Sequence, residues 1–349
     1  MNLTSSKISV LPLAPTVSIV IPVHNGGESF RKCLDSVRQY ATVAKEIIIV
    51  VDGGTDNSLT WAEASGAKVF ALPETGGPAR ARNIGAKAAQ GDILFFVDAD
   101  VTLHPDTVNQ VIQAFQRQPD LAALIGSYDD TPGATNFLSQ YKNLFHHYTH
   151  QEGSEEASTF WGACGAMRRE VFQEMGGFDQ AYRYPSVEDI ELGYRLKRAG
   201  YRIQLCKAVQ VKHLKRWEFI SLLRAEFFYR ALPWTELIWR DRQFVNDLNL
   251  KVSSRISILL TYGLLLALGV AWWWHGALLL ALIFSLILLQ LNWAVYRFFY
   301  QKRGLLFAIQ TIPWHWFYFL YGGLAFVLGT IRYGLSSKPG TSKVPAVNG

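Results

Sequence analysis

From Ile256 to the C-terminus the chain contains no Asp or Glu, and three long runs in that stretch carry no charge at all. Ile256–Trp274 is 19 residues long, Gly276–Val295 is 20, and Leu305–Ile331 is 27, interrupted by Pro313 and His315. A helix that crosses a bilayer needs about 20 apolar residues. Soluble cores rarely string together three such runs without an acidic residue. A transmembrane region over 253–334 is therefore expected, with spans near 256–274, 276–295 and 309–331. His275 alone separates the first two runs, which predicts a tight helical hairpin. Trp272, Trp273 and Trp274 then fall at its turn, where an interfacial aromatic belt would lie.

The net charge of +6 belongs to the same region. Arg297, Lys302, Arg303, Arg332, Lys338 and Lys343 account for all of it, and the first 255 residues are neutral. Positive charge that flanks apolar runs is membrane-border charge, not a nucleic-acid stripe, so no nucleic acid is expected as a partner. Lys251 and Arg255 precede the first run, and Arg297, Lys302 and Arg303 follow the second. This bias puts both sets in the cytoplasm with the N-terminal domain, in a multi-pass membrane protein. Three spans would then leave Arg332, Lys338 and Lys343 outside. Residues 217–252 mix aromatic and aliphatic side chains with Arg224, Arg230, Arg240 and Arg242. They predict two amphipathic juxtamembrane helices split at Pro233, lying on membrane lipids or packed on the domain. Residues 1–16 hold no apolar run, so a loose tail and no secretory signal are expected, with a second tail at 335–349. Cys33, Cys164 and Cys206 are too widely spaced for a zinc site or a disulfide framework.

Before this region the pattern is α/β. Val17–Val23, Lys45–Val51 and Asp92–Val97 are short apolar runs rich in branched residues, with a further strand near Ala67–Leu72 and helical spacing between them. Continuous apolar strands alternating with helices indicate a mostly parallel sheet covered on both faces, over residues 17–216. Ligands of such sheets bind beyond the carboxyl ends of the strands. Those ends carry His24-Asn25-Gly26 after the first strand, Asp52-Gly53-Gly54-Thr55-Asp56 after the second, and Asp98-Ala99-Asp100 after the third. Two carboxylates one residue apart suit a divalent cation shared with substrate phosphates, though Asp is also an ordinary turn residue. Gly76-Gly77-Pro78-Ala79-Arg80-Ala81-Arg82-Asn83 combines glycines, a helix start and two arginines, a plausible diphosphate cradle. Asp52 can accept hydrogen bonds from a base or ribose. Glu188-Asp189 opens a helix, where carboxylates gain from the helix dipole and can also merely cap it.

Taken in order, VSIVIPVHNG, EIIIVVDGGTDNS, ARARNIGAKAAQGDILFFVDAD, WGACGAMRREVFQEMGGFD and EDIELGYRLKRAGYRI resemble the family 2 glycosyltransferases with the GT-A fold. The resemblance covers about Pro15–Trp217. It implies a nucleotide-diphosphate sugar as donor and a divalent cation, Mg²⁺ or Mn²⁺. It places Asp52 at the base, Asp98 by the ribose and metal, Asp100 as principal metal ligand, and Arg80 and Arg82 near the diphosphate, with Pro22, His24, Asn25 and Asn83 lining the donor site. Asp189, with Glu188, becomes the catalytic pair, Asp189 acting as general base. In sugar transfer with inversion one carboxylate suffices, taking the acceptor proton as the oxygen attacks the anomeric carbon. The membrane region favours a lipid or lipid-linked acceptor.

His213-Leu214-Lys215-Arg216-Trp217 resembles the Gln-x-x-Arg-Trp motif of processive members, with His in the Gln position; His213 is a candidate third metal ligand or a plain strand-end residue. Trp161 is a candidate sugar-stacking residue or a core tryptophan. Asn136–Gln151 reads as an amphipathic helix, its histidines forming no clean metal set. A processive polysaccharide synthase and a non-catalytic membrane scaffold are the competing functions. Intact Asp52, Asp98, Asp100 and Asp189 speak against the scaffold.

Overall fold

The computed structural model describes residues 14–242 and 251–335. The tail expected before residue 14, Lys338 and Lys343 of the C-terminal tail, and 243–250 of the juxtamembrane zone lie outside the described residues. The chain divides into two compact units, Met1–Glu218 and Phe219–Gly349.

The first unit is built on an eight-stranded sheet. Its strands are β1 (Val17–Val23), β2 (Glu46–Asp52), β3 (Lys68–Leu72), β4 (Ile93–Val97), β5 (Val101–Leu103), β6 (Ala123–Tyr128), β7 (Cys164–Arg168) and β8 (Ile203–His213). Their order is β3-β2-β1-β4-β7-β6-β8-β5. The half formed by β3, β2, β1 and β4 is parallel, as the apolar runs predict. The other half is mixed: β7 runs antiparallel to both β4 and β6, and β5 antiparallel to β8. With β6 parallel to β8, four of the seven pairings are parallel, so the expectation of a mostly parallel sheet holds, most fully in the first half. The segment around Cys164, which the apolar runs do not mark as a strand, inserts against the direction of its neighbours.

Both faces of the sheet are covered, because alternate residues of each strand point to opposite sides. Ile19, Ile21 and Phe95 join Phe30 and Val37 of α1 (Gly27–Tyr40) on one face. Val20, Ile48, Val50, Leu94 and Phe96 face α3 (Pro78–Ala88) and α7 (Glu188–Arg198) on the other. Phe96 is fully buried among Phe160, Phe172 and Phe178, and burying such a ring contributes about 1.5–3 kcal/mol. These packed helices fix the residues that sit at the strand ends.

The second unit is helical. Its first part runs through α8 (Phe219–Arg224), a π-helical stretch (Ala225–Ala231) and α9 (Leu232–Asp241), the zone expected to hold two juxtamembrane helices. Pro233 does not split it as expected. It sits in the first turn of α9, directly after the π-helical stretch, and the helical path continues past it. Beyond come α10 (Val252–Val270), α11 (Ala277–Leu291), α12 (Trp293–Arg303) and α13 (Leu305–Leu335). Leu264 and Ala267 of α10 pack with Ala281 and Leu288 of α11, forming the expected hairpin. Trp272, Trp273 and Trp274 stand exposed at its turn.

The three expected spans are not equally supported. Among the described residues, α10 alone is both long and apolar enough to cross a membrane. The pair α11 and α12, bent by 63°, would make a second if it counts as one broken span. Although α13 has 31 residues, Pro313, His315 and several Tyr and Trp residues dilute it. It also runs antiparallel to α10: Trp316 packs on the cluster around Leu264, and the Tyr262 hydroxyl donates to the Leu320 carbonyl at 2.8 Å. The C-terminal end of α13 therefore lies at the N-terminal end of α10. There Arg332 pairs with Glu236 of α9 at 2.9 Å, and Trp239 Nε1 donates to Thr330. Arg332, which three spans would put across the membrane, thus shares a side with Lys251 and Arg255.

Candidate active site

The strand ends converge as the sheet pattern requires. Pro22 lies within β1 opposite Val50. His24 Nδ1 donates to the Asp52 carbonyl at 2.9 Å, and Asn25, in the left-handed region at φ 48°, accepts the Thr55 N–H at 2.8 Å. These bonds stitch the end of β1 to that of β2. Asp52 is buried, and its two carboxylate oxygens accept the N–H groups of Gly76 (2.9 Å) and Gly77 (2.7 Å). Expected at a base or ribose, it first of all shapes the glycine turn that opens α3. Gly77 adopts φ 92°, and a side chain there would run into the Arg183 backbone. Arg80 is half-buried and lies across Gly76. Beside this turn is a cavity of about 90 Å³ lined by Val51, Gly53, Gly54, Leu59, Leu72 and Pro73.

Arg82 occupies the centre. It is buried, and its guanidinium donates to Asp98 Oδ1 at 2.7 Å and to Glu188 Oε1 at 2.9 Å. It packs over the Phe178 ring, with Gly162 against its other side. The expectation that Arg82 reaches a diphosphate is not met in this arrangement, because two carboxylates hold its terminal nitrogens. Glu188 is likewise committed: its second oxygen accepts the Ser186 N–H at 2.9 Å. Asn83 clamps the Phe178 backbone, donating to its carbonyl and accepting its N–H, and so fixes the Gly176-Gly177 turn rather than facing a ligand.

Asp189 differs from its neighbour. It is half-buried at the start of α7, accepting the N–H groups of Gly162 (3.0 Å) and Ile190 (2.8 Å). Burial and the adjacent Glu188 raise its carboxyl to about 6, against the lowering effects of the Gly162 N–H and Arg82. A carboxylate that titrates there can accept a proton near neutral pH.

The third strand end carries Asp100, half-buried, 3.5 Å from His213 Nε2 at the end of β8. Burial works against its charge, but His213 and Lys215 outweigh that and hold the carboxyl at about 2. The other nitrogen, His213 Nδ1, lies 2.5 Å from Asn143 Oδ1 on α5 (Phe137–Gln151). Tyr128 stacks on the imidazole at 4.2 Å, nearly parallel. Asp98 is turned to Arg82, so Asp98, Asp100 and His213 do not close into one set. No cluster of three His, Cys, Asp or Glu among the described residues is arranged to hold a metal. Trp161 is half-buried against Tyr128, His146 and His150, an aromatic packing role. Sequence reasoning missed Asn143, Tyr128 and the Gly162 N–H. Asn143 lies in the helix whose histidines drew attention, but nothing in its spacing points to a strand end 70 residues away.

The family model described as "Glycosyl transferase family 2" matches residues 18–176, the stretch that holds all three strand ends. The chain carries a family 2 glycosyltransferase domain. A second model, "N-terminal domain of galactosyltransferase", matches residues 142–218, which include Glu188, Asp189 and His213. Together the two matches span residues 18–218, the unit built on the eight-stranded sheet, and that unit has the GT-A fold. The Pre-mycofactocin glycosyltransferase of Mycobacterium tuberculosis is 28% identical over 225 residues, 61% of this chain and 46% of its own length. The O-antigen chain rhamnosyltransferase RfbN of Salmonella typhimurium is 24% identical over 239 residues, 63% of this chain and 74% of its own. The chain thus spans about half the length of the first of these relatives. Among solved structures, the mannosyltransferase PcManGT from Pyrobaculum calidifontis, in complex with GDP-Man and Mn²⁺, covers 94% of this chain and 89% of its own, with a TM-score of 0.54. Its 16% identity makes this a likeness of fold.

Proposed function

We propose that this glycosyltransferase moves a sugar, with inversion, from a nucleotide-diphosphate sugar to a hydroxyl or phosphate of a lipid or lipid-linked acceptor at the cytoplasmic face of a membrane. The observation that carries the reading is Asp189. It is a lone proton acceptor near neutral pH, oriented by two backbone N–H groups and adjacent to the Arg82–Asp98 pair. Asp189 takes the proton of the acceptor as its oxygen attacks the anomeric carbon opposite the leaving diphosphate, and no covalent intermediate is needed. Glu188 keeps Arg82 in place. The narrow slot lined by Val51, Leu59 and Leu72 takes a flat base, and Arg80 beside Gly76 is the cation open to a diphosphate.

A divalent cation fits Asp100 and His213. A carboxylate and an imidazole with a fixed second nitrogen suit Mg²⁺ or Mn²⁺, which are commonly held by one or two protein carboxylates together with substrate phosphates. When bound, such an ion neutralises charge on the departing diphosphate. The lipid acceptor and the membrane face rest on α10, which has the length and hydropathy of a spanning helix, and on the basic residues at its first end. The names of two similar proteins, an O-antigen chain rhamnosyltransferase and a mannosyltransferase bound to GDP-Man and Mn²⁺, agree with a saccharide product and a nucleotide-sugar donor.

The test is nucleotide release from a panel of nucleotide sugars in the presence of membrane lipid extract, comparing wild type with Asp189→Asn. Loss of transfer with retained donor binding supports the reading. Transfer at the wild-type rate by the folded variant removes Asp189 as base.

A further inference from the structure

We propose that Asn143 is a positioning residue that fixes Nδ1 as the protonated nitrogen of His213, leaving Nε2 to face Asp100 and take the cation. The inference rests on the reading of Asp100 and His213 as a cation site.

The geometry leaves His213 little choice. Its Nδ1 lies 2.5 Å from Asn143 Oδ1, and an amide oxygen only accepts, so Nδ1 carries the hydrogen. A neutral imidazole with its proton on Nδ1 has its lone pair on Nε2, and Nε2 is the atom 3.5 Å from Asp100 Oδ2. At that separation a proton on Nε2 or a cation can sit between the two groups, and a cation that binds there takes the proton's place.

The ring cannot easily exchange its two nitrogens. Tyr128 stacks on it with an interplanar angle of 5°, and His147 Nδ1 in turn holds the Tyr128 carbonyl at 2.7 Å. His213 and Asn143 are both buried, at 5% and 1% exposure, so water does not compete for Nδ1. Asn143 Nδ2 is buried without a hydrogen-bond partner. Within the described residues, then, the bond to His213 is the polar contact that orients this amide. A metal-binding histidine commonly donates its second ring N–H to such a partner, which sets the tautomer and the ring plane. The proton count is simple: a cation at Nε2 sends any proton on that nitrogen to solvent, while Nδ1–H stays on Asn143.

The experiment measures Mn²⁺ binding to the full chain in detergent, by electron paramagnetic resonance of free ion and without donor. Three variants are compared with wild type: Asn143→Leu, Asn143→Asp and His213→Ala. Asn143→Leu removes the acceptor at similar volume and is expected to weaken binding about 10–100-fold, the range for loss of such a partner. Asn143→Asp keeps an acceptor at the same place and is expected to bind at least as tightly as wild type. Should the leucine variant misfold, the wild type itself is decisive. With ¹⁵N-labelled histidine and saturating Mg²⁺, His213 is expected to be protonated at Nδ1 and not at Nε2. Wild-type Mn²⁺ affinity in Asn143→Leu together with weakened binding in His213→Ala overturns the role of Asn143 alone, as does an Nε2-protonated ring in the Mg²⁺ form. Unchanged binding in His213→Ala overturns the cation site itself.

Discussion

Replacing Arg82 with methionine keeps most of its bulk and removes the cation shared by Asp98 and Glu188. The two contacts are 2.7 and 2.9 Å, and the side chains of Arg82 and Glu188 are each 5% exposed. Removing one partner of such a buried pair typically costs about 3–5 kcal/mol, because the charge left behind has no counter-ion. The Asp98 side chain is 30% exposed, so solvent screens its half and adds little to that figure. A domain of this size loses about 2–4 °C of Tm per kcal/mol, so Arg82→Met is expected to melt about 6–20 °C below wild type. Thermal unfolding followed by circular dichroism reads this directly. Adding Glu188→Gln to the methionine variant removes the stranded charge and is expected to recover more than half of the loss, a coupling on the order of 2 kcal/mol between residues in direct contact. Activity should stay low in the double variant, because Asp98 remains unheld. A melting point for Arg82→Met within about 2 °C of wild type would refute the argument. So would a double variant no more stable than the single one, since the cost would then lie in packing over Phe178 rather than in charge.

The remaining predictions concern the base, the glycine turn and the membrane. Asp189→Asn should lower kcat by about 10²–10⁴, and the acid limb of wild-type kcat/KM should fall near pH 6, where Asp189 becomes protonated. The stability sign is opposite: the folded carboxyl binds its proton more tightly than the unfolded one at about 3.8, so stability falls as pH rises from about 4 to about 6 and then levels off. Asp189→Asn should abolish that slope, which unfolding titrations across the window would measure. Gly77→Ala forces a side chain into a φ of 92° and toward the Arg183 backbone, and should cost about 1–3 kcal/mol while raising KM for the donor more than it changes kcat. Changing Trp272, Trp273 and Trp274 to Ser should reduce partitioning of the protein into lipid vesicles in a flotation assay, without shifting the melting of the catalytic unit.

The first half of the sheet was legible because each buried strand is a continuous apolar run with a polar end, and Val17–Val23 lies where its composition puts it. β7 was not legible. Cys164-Gly165-Ala166-Met167-Arg168 has little strand propensity, and its direction is set by pairing with β4 and β6, which are far off in sequence. The same limit applies to the site. Spacing identifies carboxylates at strand ends, yet it does not tell which will meet a cation. Arg82 reads as a phosphate ligand from its neighbours in sequence; its partners Asp98 and Glu188 are 16 and 106 residues away. The apolar runs located the hairpin of α10 and α11 but not the break at Asn292 or the antiparallel packing of α10 and α13, which depends on Tyr262, Trp316 and Leu320 meeting in three dimensions.

Glu188 and Asp189 illustrate how two adjacent carboxylates acquire different work. They occupy the first two positions of α7 and share its favourable N-terminal dipole, so position alone does not separate them. One methylene does. The longer glutamate reaches inward to Arg82 and back to the Ser186 N–H, and its charge is matched and fixed. The shorter aspartate stays near the backbone, held by Gly162 and Ile190 without a guanidinium in direct contact. Its neighbour's charge then makes ionisation harder, while Arg82, already engaged, only partly offsets it. Glu188 therefore bears on Asp189 in two ways: it engages Arg82, and its charge contributes to raising the Asp189 carboxyl. Shortening Glu188 to Asp should withdraw the carboxylate from Arg82 and free the guanidinium to move toward Asp189. The acid limb of kcat/KM should then move below pH 6, and an unchanged limb would mean that Glu188 serves the fold alone.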